Sequence, residues 1–248
     1  MSVRNSLKIA TFNIHKGVSS FNTRLVLNKQ RELVRKLHAD IVFLQEVRGE
    51  HSRHSKLTLN TQYEFLADSI WHNYAYGKNA VLSSGHHGNA ILSKYPIIKW
   101  ENEDISASFV EQRGLLHCEI SVPEWHDNLH CICVHFGLFS LWRRKQLKSL
   151  NARINKLVPR NAPLIIAGDF NDWKQEAGLL LSEQQHLQEV FKMAHGSHAR
   201  SFPSLLPMFK LDRIYARGFN IQHCQVHSGA VVANLSDHAA LTADLVRL

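Results

Sequence analysis

Residues 164–172, read as Leu-Ile-Ile-Ala-Gly-Asp-Phe-Asn-Asp, constrain the fold of this chain more than any other stretch. Four apolar residues without a polar interruption predict a strand that is buried on both faces. Gly168 ends the run, and Asp169 and Asn171 follow at a spacing that sends both side chains to the same side of an extended chain. The stretch predicts either an Asp-Gly-Asn turn leaving the sheet or a polar site at the end of a core strand.

Polar residues at or near the ends of four other apolar runs favour the second interpretation. They are Asn13, Glu46, His135 and the pair Asp237-His238. Converging strand ends are where α/β sheets place their chemistry. We therefore expect these side chains to meet Asp169 and Asn171 in space.

Hydrophobic periodicity gives an alternating α/β order along the chain. Residues 7–44 predict a strand, a helix and a second strand, which is the arrangement of a parallel crossover. Further strands are predicted at 74–82, 89–92 with its continuation 97–100, 114–122, 129–136, 211–215, 224–226 and 241–246. Helices are predicted at 25–37, 63–71, 141–158 and 176–193, the last broken near Ser182. Residues 51–60 and 197–208 predict loops. Residues 83–88 predict a hairpin tip, which is either a substrate-selecting loop or a plain surface turn.

Composition restricts the class of partner. The 248 residues are 44% hydrophobic and predict a single domain spanning 1–248. Lys and Arg outnumber Asp and Glu by 29 to 21, a net charge of +8 that favours nucleic acid, phospholipid head groups or phosphorylated small molecules. The basic outer positions of the 141–158 helix fit either a solvated face or a ligand groove. These positions are Arg144, Lys145, Lys148, Arg153 and Lys156.

No apolar tract is long enough to predict a membrane span, and residues 1–8 lack the apolar core of a signal peptide. We therefore expect a cytoplasmic protein. Cys131, Cys133 and His135 alternate along one strand and suggest zinc. However, Cys131 and His135 would lie roughly 13 Å apart in a strand, too far for one ion, so buried reduced thiols are expected.

The polar residues at the strand ends form an oxygen-rich set. Three carboxylates, Glu46, Asp169 and Asp237, suit Mg²⁺ or Mn²⁺ better than structural zinc. Glu46 is the strongest candidate for a metal ligand, because an ionised glutamate beyond a buried strand needs a cation or several donors. A capped surface glutamate is the alternative.

Seven short motifs in order resemble the endonuclease/exonuclease/phosphatase superfamily. They are Thr-Phe-Asn-Ile-His (11–15), Leu-Gln-Glu-Val (44–47), Gly-Asn-Ala-Ile-Leu-Ser-Lys-Tyr-Pro-Ile (88–97), Val-His-Phe (134–136), Gly-Asp-Phe-Asn (168–171), Leu-Asp-Arg-Ile (211–214) and Ser-Asp-His (236–238). The superfamily includes DNase I, abasic-site endonucleases, neutral sphingomyelinases, inositol polyphosphate 5-phosphatases and tyrosyl-DNA phosphodiesterase 2. The resemblance implies an α/β four-layer sandwich, in which two mixed β-sheets pack face to face between helices.

The resemblance also implies roles. Glu46 matches the direct metal ligand, while Asn13 and Asp237 match other metal-side positions. Asp169 matches the residue that orients or deprotonates the attacking water, and Asn171 matches the amide that binds the phosphoryl group. Asp212 and His238 match a carboxylate–imidazole pair, and His135 matches a phosphate contact. Substrate contacts are expected from His15, His86, His87 and Arg113, although related enzymes carry an acidic residue at His15. Arg113, Arg143 and Gln146 are read first as scaffold.

The sequence thus predicts a metal-dependent phosphoesterase, most directly a phosphodiesterase, with nucleic acid as the leading substrate class. Phospholipids and small phosphoesters are the alternatives, and a non-catalytic anion-binding module is a third interpretation. No protein partner is inferred. No long apolar hairpin beyond residues 74–92 supports the lipid alternative, and no arginine-and-aromatic arm supports a grip on duplex DNA.

Overall fold

The computed structural model describes residues 5–19, 25–51, 62–82, 85–108 and 111–248. These residues form twelve strands and six α-helices. The strands are β1 (Ser6–Asn13), β2 (Ile41–His51), β3 (Asn73–Leu82), β4 (Gly85–Ser93), β5 (Ile97–Asp104), β6 (Gly114–Ile120), β7 (Leu129–His135), β8 (Leu164–Asp169), β9 (Gln188–Glu189), β10 (Asp212–Arg217), β11 (Phe219–His227) and β12 (Ala240–Arg247). The helices are α1 (Leu27–Lys36), α2 (Gln62–Ser69), α3 (Ser140–Leu157), α4 (Ala177–Gln185), α5 (Val190–His195) and α6 (Ala230–Ala233).

The strands form two mixed sheets of six strands each. Their orders are β11-β12-β1-β2-β4-β3 and β5-β6-β7-β8-β10-β9. The pairs β1–β2 and β7–β8 are parallel, and the other neighbouring pairs are antiparallel. Each parallel pair brings two strand ends to the same edge of its sheet, which is where the polar motifs lie.

Alternation along the buried strands builds three apolar clusters. In β8, Ile165 and Ala167 enter the cluster between the sheets, whereas Leu164 and Ile166 face α3 and α4. The other face of the first sheet packs against α1, α2 and α6. A strand that is covered on both faces has no polar side, so its apolar run is unbroken. The predicted four-layer sandwich is confirmed.

The four cysteines lie buried and free in the strands, as expected. Among the described helices, none combines the length and apolar character that a membrane crossing requires.

Three boundary predictions are wrong. Residues 97–100 do not continue the preceding strand, because β5 starts the second sheet after Tyr95-Pro96. The predicted 176–193 helix does not break near Ser182. It ends at Gln185, where His186 adopts φ 53°, and β9 follows at the edge of the second sheet.

The third error concerns the predicted hairpin tip at 83–88. Strand β4 already begins at Gly85, and residues 83–84 lie outside the described part of the chain. Most of the predicted 51–60 loop also lies outside it. Arg153, predicted on the outer face of its helix, is buried and contacts Glu101, Glu103 and His117.

Candidate active site

Polar side chains from both sheets meet at one end of the sandwich. The first sheet contributes Asn13 at the end of β1, Glu46 within β2 and His238 just before β12, and the second contributes His135, Asp169 and Asp212. In the second sheet, His135 is paired in register with Asp169, and Asp169 is paired with Asp212, so the three residues lie side by side on adjacent strands. Hydrogen bonds from Asn13 to Asp169 and from His238 to Asp212 connect the two sheets.

Glu46 reaches the site from a β-bulge. The pairing of β2 with β4 shifts register here, and Glu46 adopts the left-handed φ of 57°. A bulge re-aims a side chain that regular alternation would send elsewhere. Glu46 Oε1 accepts a hydrogen bond from Asn13 Nδ2 at 3.4 Å, and Glu46 Oε2 lies 3.7 Å from Lys16 Nζ. The expectation that the strand ends before Glu46 is wrong, because β2 continues beyond the bulge.

Asp169 is buried at the centre of the site. Its Oδ2 lies 3.2 Å from Asn13 Nδ2, 3.5 Å from His135 Nε2 and 3.7 Å from His238 Nε2. Its Oδ1 accepts a hydrogen bond from the backbone N–H of Asn171 at 2.9 Å. Burial raises the pKa of Asp169 to about 6, although the positive charge of His238 opposes the shift. This carboxylate is therefore a stronger base than an ordinary aspartate.

Asp212 and His238 form a buried ion pair. His238 Nδ1 donates a hydrogen bond to Asp212 Oδ2 at 2.8 Å. The backbone N–H of Asp212 donates to Ser201 Oγ at 3.1 Å. Burial alone would lower the pKa of His238, but the charges of Asp212 and Asp169 outweigh it and raise that pKa to about 10. The Phe202 ring packs on the imidazole with centroids 5.1 Å apart. His238 is thus held as an oriented cation.

Asp237 and Asn171 extend this set on either side. Asp237 Oδ1 lies 2.7 Å from His15 Nδ1. Burial would raise the pKa of Asp237, but the hydrogen bond from His15 and the charge of His238 lower it below its usual value. Asn171, at φ 46°, donates from Nδ2 to the carbonyl oxygen of Phe136 at 2.9 Å.

The four predicted substrate contacts are not all at the site. Burial lowers the pKa of His135 well below its usual value, and the positive charges of Arg113 and His238 lower it further. Arg113 itself is paired with Glu111 at 2.9 Å. His86 instead lies 2.9 Å through Nδ1 from Tyr76 Oη. Adjacent strand residues face opposite sides, so His87 lies on the face of β4 opposite to His86 and Tyr76.

Two places in the site are candidates for a metal ion, the group Asp169, Asp212 and His238 and the carboxylate of Glu46. Ligand atoms of Asp169, Asp212 and His238 all lie within 4.8 Å of one another. However, the protonated imidazole already bonds Asp212 and would repel a cation, so this group is better described as a charged hydrogen-bond network. The contacts of Glu46 are both longer than an ordinary charge-assisted hydrogen bond, which leaves lone pairs for a hard cation.

Asn13 fits the role of ligand less well than Glu46 does. Its Oδ1 accepts the backbone N–H of His15 at 3.0 Å, and its Nδ2 is directed at the two carboxylates. The carboxylate oxygens of Glu46 and Asp237 are of the ligand type that Mg²⁺ or Mn²⁺ prefers, whereas Asn13 bridges Glu46 and Asp169 as a hydrogen-bond donor.

Sequence analysis missed four residues that shape the site. Lys16 lies beside Glu46 in a short 3-10 turn, His15–Gly17, and has φ 57°. Ser236 Oγ donates to the carbonyl oxygen of Asn13 at 2.7 Å and accepts the backbone N–H of His238 at 3.2 Å. Ser201 and Phe202 hold the ion pair, as described above. Lys16 and Ser236 adjoin or belong to the quoted motifs. Nothing in the sequence of residues 201–202 indicates that Ser201 bonds Asp212 or that Phe202 packs on His238.

The four-layer sandwich and the carboxylate–imidazole site at its edge define a DNase I-like class of protein. The sequence profile described as Endonuclease/Exonuclease/phosphatase family matches residues 10–238, and the chain belongs to this family. Members of the family are hydrolases that act on phosphoester bonds.

Relatives and solved structures cover nearly the whole chain. The uncharacterized protein YbhP of Escherichia coli K12 is 45% identical over 244 residues, covering 97% of this chain and 96% of YbhP. An endonuclease/exonuclease/phosphatase of Beutenbergia cavernae superposes with a TM-score of 0.77 at 19% identity, covering 98% of this chain and 72% of the other. Humanized D. rerio TDP2 gives 0.71 at 18%, with 97% and 99% covered. A mannosyl-6-phosphatase of Bacteroides thetaiotaomicron gives 0.72 at 14%, with 97% and 99% covered.

Proposed function

We propose that this protein is a divalent-metal-dependent phosphodiesterase that hydrolyses its substrate by in-line attack of water. The observation that supports this most is the environment of Asp169. A buried carboxylate of raised pKa lies between two imidazoles and an amide, within 3.7 Å of all three. General-base catalysis needs such a group, because a base with a pKa nearer to neutral accepts a proton more readily.

The surrounding residues complete the chemistry. Asp169 takes the proton from the attacking water, and Asn171 fixes the carboxylate through its backbone N–H. One Nδ2 hydrogen of Asn171 bonds Phe136, which leaves the second for a phosphoryl oxygen. His238, held as a cation by Asp212, stabilises the negative charge that develops on the phosphoryl oxygens. His135, kept neutral by burial, offers a hydrogen bond to the same group.

A metal ion belongs in this proposal because of the charge that the site must neutralise. Glu46 and Asp237 would hold Mg²⁺ or Mn²⁺, with Asn13 orienting Glu46. When bound, such an ion supplies Lewis-acid charge to a phosphoryl oxygen and to the leaving oxygen.

The charge of the site favours a diester over a monoester. Four carboxylates, Glu46, Asp169, Asp212 and Asp237, face the cations Lys16 and His238, which leaves two negative charges that one divalent ion would neutralise. His15, 2.7 Å from Asp237, adds a positive charge only when it is protonated. A neutral site receives a singly charged diester at a smaller electrostatic cost than a doubly charged monoester. TDP2 and a protein named as a mannosyl-6-phosphatase both share the fold of this chain, so similarity of fold does not choose between a diester and a monoester.

The test is hydrolysis of bis(p-nitrophenyl) phosphate and p-nitrophenyl phosphate with Mg²⁺, with Mn²⁺ and with EDTA. Wild type should prefer the diester and lose activity in EDTA. Asp169→Asn should lower kcat by about a thousandfold with little change in substrate affinity. Glu46→Gln should lower both activity and Mg²⁺ affinity while the fold survives.

Asp244→Asn is the matched control for the aspartate change. Asp244 lies in β12, the strand that follows His238, and its half-exposed side chain is 4.0 Å from Lys8 Nζ. This variant should therefore keep wild-type kinetics. An EDTA-insensitive wild type contradicts the metal mechanism. A loss of less than tenfold in Asp169→Asn contradicts the assignment of the base.

A further inference from the structure

Three loops beside the catalytic residues carry exposed apolar side chains. Strands β7, β8 and β10 are neighbours, so the chain after His135, the chain after Asp169 and the chain before Asp212 all leave the same edge of the second sheet. Among the described residues, fifteen large apolar side chains are exposed, and eight of them lie in these loops or in the first turn of α3. We use the term apolar rim for six of them: Leu138, Phe139, Trp173, Leu205, Leu206 and Met208.

The longest of the three loops is connected directly to the catalytic segment. Phe202 and Phe209 form a two-residue antiparallel bridge, which makes residues 202–209 a hairpin. At its base Ser204 donates from its backbone N–H to the carbonyl oxygen of Asp237 at 2.7 Å and from Oγ to that of Ser236 at 2.6 Å. The tip of this hairpin is apolar, with Leu205 60% and Leu206 70% exposed.

The other two loops are held in place as well. Trp173 packs its ring against Phe209 with centroids 5.0 Å apart, which joins its loop to the hairpin. The Gly137 backbone N–H donates to Gln146 Oε1 at 2.8 Å, and the Arg143 guanidinium donates to the carbonyl oxygen of Gly137 at 3.2 Å. Ordered loops that expose leucine and phenylalanine to water are typical of a surface that binds something apolar.

The charge of the same segments narrows the choice of partner. Lys145, Lys148, Lys174 and Arg200 are exposed in or beside the three loops. Arg144 is paired with Glu176, and Arg143 and Asp172 are buried, so the exposed charge of these segments is mainly positive. Apolar side chains surrounded by cations match the interface of an anionic bilayer. Single-stranded nucleic acid would also meet the charge, but bases stack on aromatic rings, and Leu205, Leu206 and Met208 have none.

From this arrangement we infer that the apolar rim seats the protein on an anionic lipid bilayer and brings lipid head groups to the site. The substrate class is then a phosphodiester of a membrane lipid. This part of the inference rests on the proposed phosphodiesterase activity, whereas bilayer binding itself does not. The sequence-based preference for nucleic acid used the net charge, which a bilayer satisfies equally, together with the resemblance to nucleases of the superfamily.

The experiment measures partition onto vesicles of phosphatidylcholine with about a quarter phosphatidylglycerol, compared with pure phosphatidylcholine. EDTA is present throughout, so that hydrolysis plays no part. Wild type should sediment with the anionic vesicles, and Leu205→Asp combined with Leu206→Asp should bind at least about tenfold more weakly. The two leucines are mostly exposed, so this variant should keep the wild-type circular dichroism and Tm.

Ile98→Asp is the matched control. Ile98 is 54% exposed on β5. Its neighbour Ile97 pairs with Ile120, near the end of β7 opposite to His135. The Ile98→Asp variant should therefore partition onto vesicles as wild type does. Acyl chains carrying bromine should quench wild-type tryptophan fluorescence, and Trp173→Phe should reduce the quenching.

Several results would overturn the inference. One is a double variant that partitions as well as wild type, and another is a wild type that ignores both vesicles. Tight binding of a single-stranded oligonucleotide that the double variant loses, without vesicle binding, would make the rim a stacking surface. A dimer that the double variant dissociates would make it a contact between copies. Absence of diester hydrolysis together with intact partition would instead contradict the proposed function and leave bilayer binding standing.

Discussion

Replacing Gly168 with alanine should destabilise the protein strongly, although the change adds one methyl group. Gly168 precedes Asp169 in β8 and has φ 146°, a conformation that side-chain-bearing residues rarely adopt. A Cβ at this position would lie 2.0 Å from the carbonyl oxygen of Val134 on the paired strand β7. The neighbouring atoms belong to the backbone, so no side chain can rotate away.

The expected magnitude follows from that contact. Ordinary contacts begin at 3.4 Å, so β7 and β8 must separate locally by about 1.4 Å, since 3.4 − 2.0 = 1.4. Two or three ladder hydrogen bonds at about 1 kcal/mol each would weaken, and the unfavourable φ adds about 1–2 kcal/mol. The total is about 3–5 kcal/mol. A displacement of about 1 Å at the adjacent Asp169 would also cost on the order of a hundredfold in rate.

Gly196→Ala separates the two contributions. Gly196 also has a positive φ, 74°, but nothing lies within 4 Å of an added Cβ, so its loss should be only about 1–2 kcal/mol. Urea unfolding followed by tryptophan fluorescence compares the two variants with wild type. Equal midpoints for Gly168→Ala and Gly196→Ala, at equal m-values, would refute the steric argument.

Two further predictions concern pH. Asp212→Asn removes the charge that keeps His238 protonated, so the pKa of His238 should fall from about 10 and the alkaline limb of kcat/KM should move to lower pH; a profile that superimposes on wild type after scaling would show that Asp212 does not control this proton. Burial lowers the pKa of His117 to about 3. Because the unfolded chain binds this proton near pH 6.5, His117 stabilises the fold above about pH 6.5, and that stability is lost as pH falls toward 3. The urea midpoint should therefore drop between pH 7 and 5, less steeply in His117→Asn, and identical slopes would argue against it.

The sequence predicted what local pattern determines. Buried strands were predicted from apolar runs in the sequence. The site residues at their ends were predicted because each run stops at a polar side chain, as at Asp169. The expectation of buried free thiols is confirmed, since Cys131 and Cys133 lie in the apolar core between the sheets. The roles assigned to the individual site residues and the single-domain organisation stay predictions.

What the sequence did not predict depends on backbone conformation and distant contacts. The bulge at Glu46 requires a positive φ, and a glutamate in the sequence gives no indication of that conformation. Tyr95-Pro96 marks an interruption, but the chain pattern does not say that the next strand joins another sheet. His186 ends its helix in a left-handed conformation that is uncommon for histidine, so the break was placed too early. Arg153 was expected on the surface because the helical pattern does not show its partners from other elements, Glu101, Glu103 and His117.

The hydrogen bonds Asn13–Asp169 and Asp212–His238 each join one layer of the sandwich to the other. A sandwich of this kind loosens when one sheet slides over the other, while each retains its own ladder of backbone bonds. Such a slide would separate both pairs and scatter the reacting groups before any strand melts. Warming should therefore abolish the catalytic activity at a temperature below the Tm of unfolding. A substrate that contacts residues of both sheets would oppose this slide, so its binding should raise the Tm of the protein.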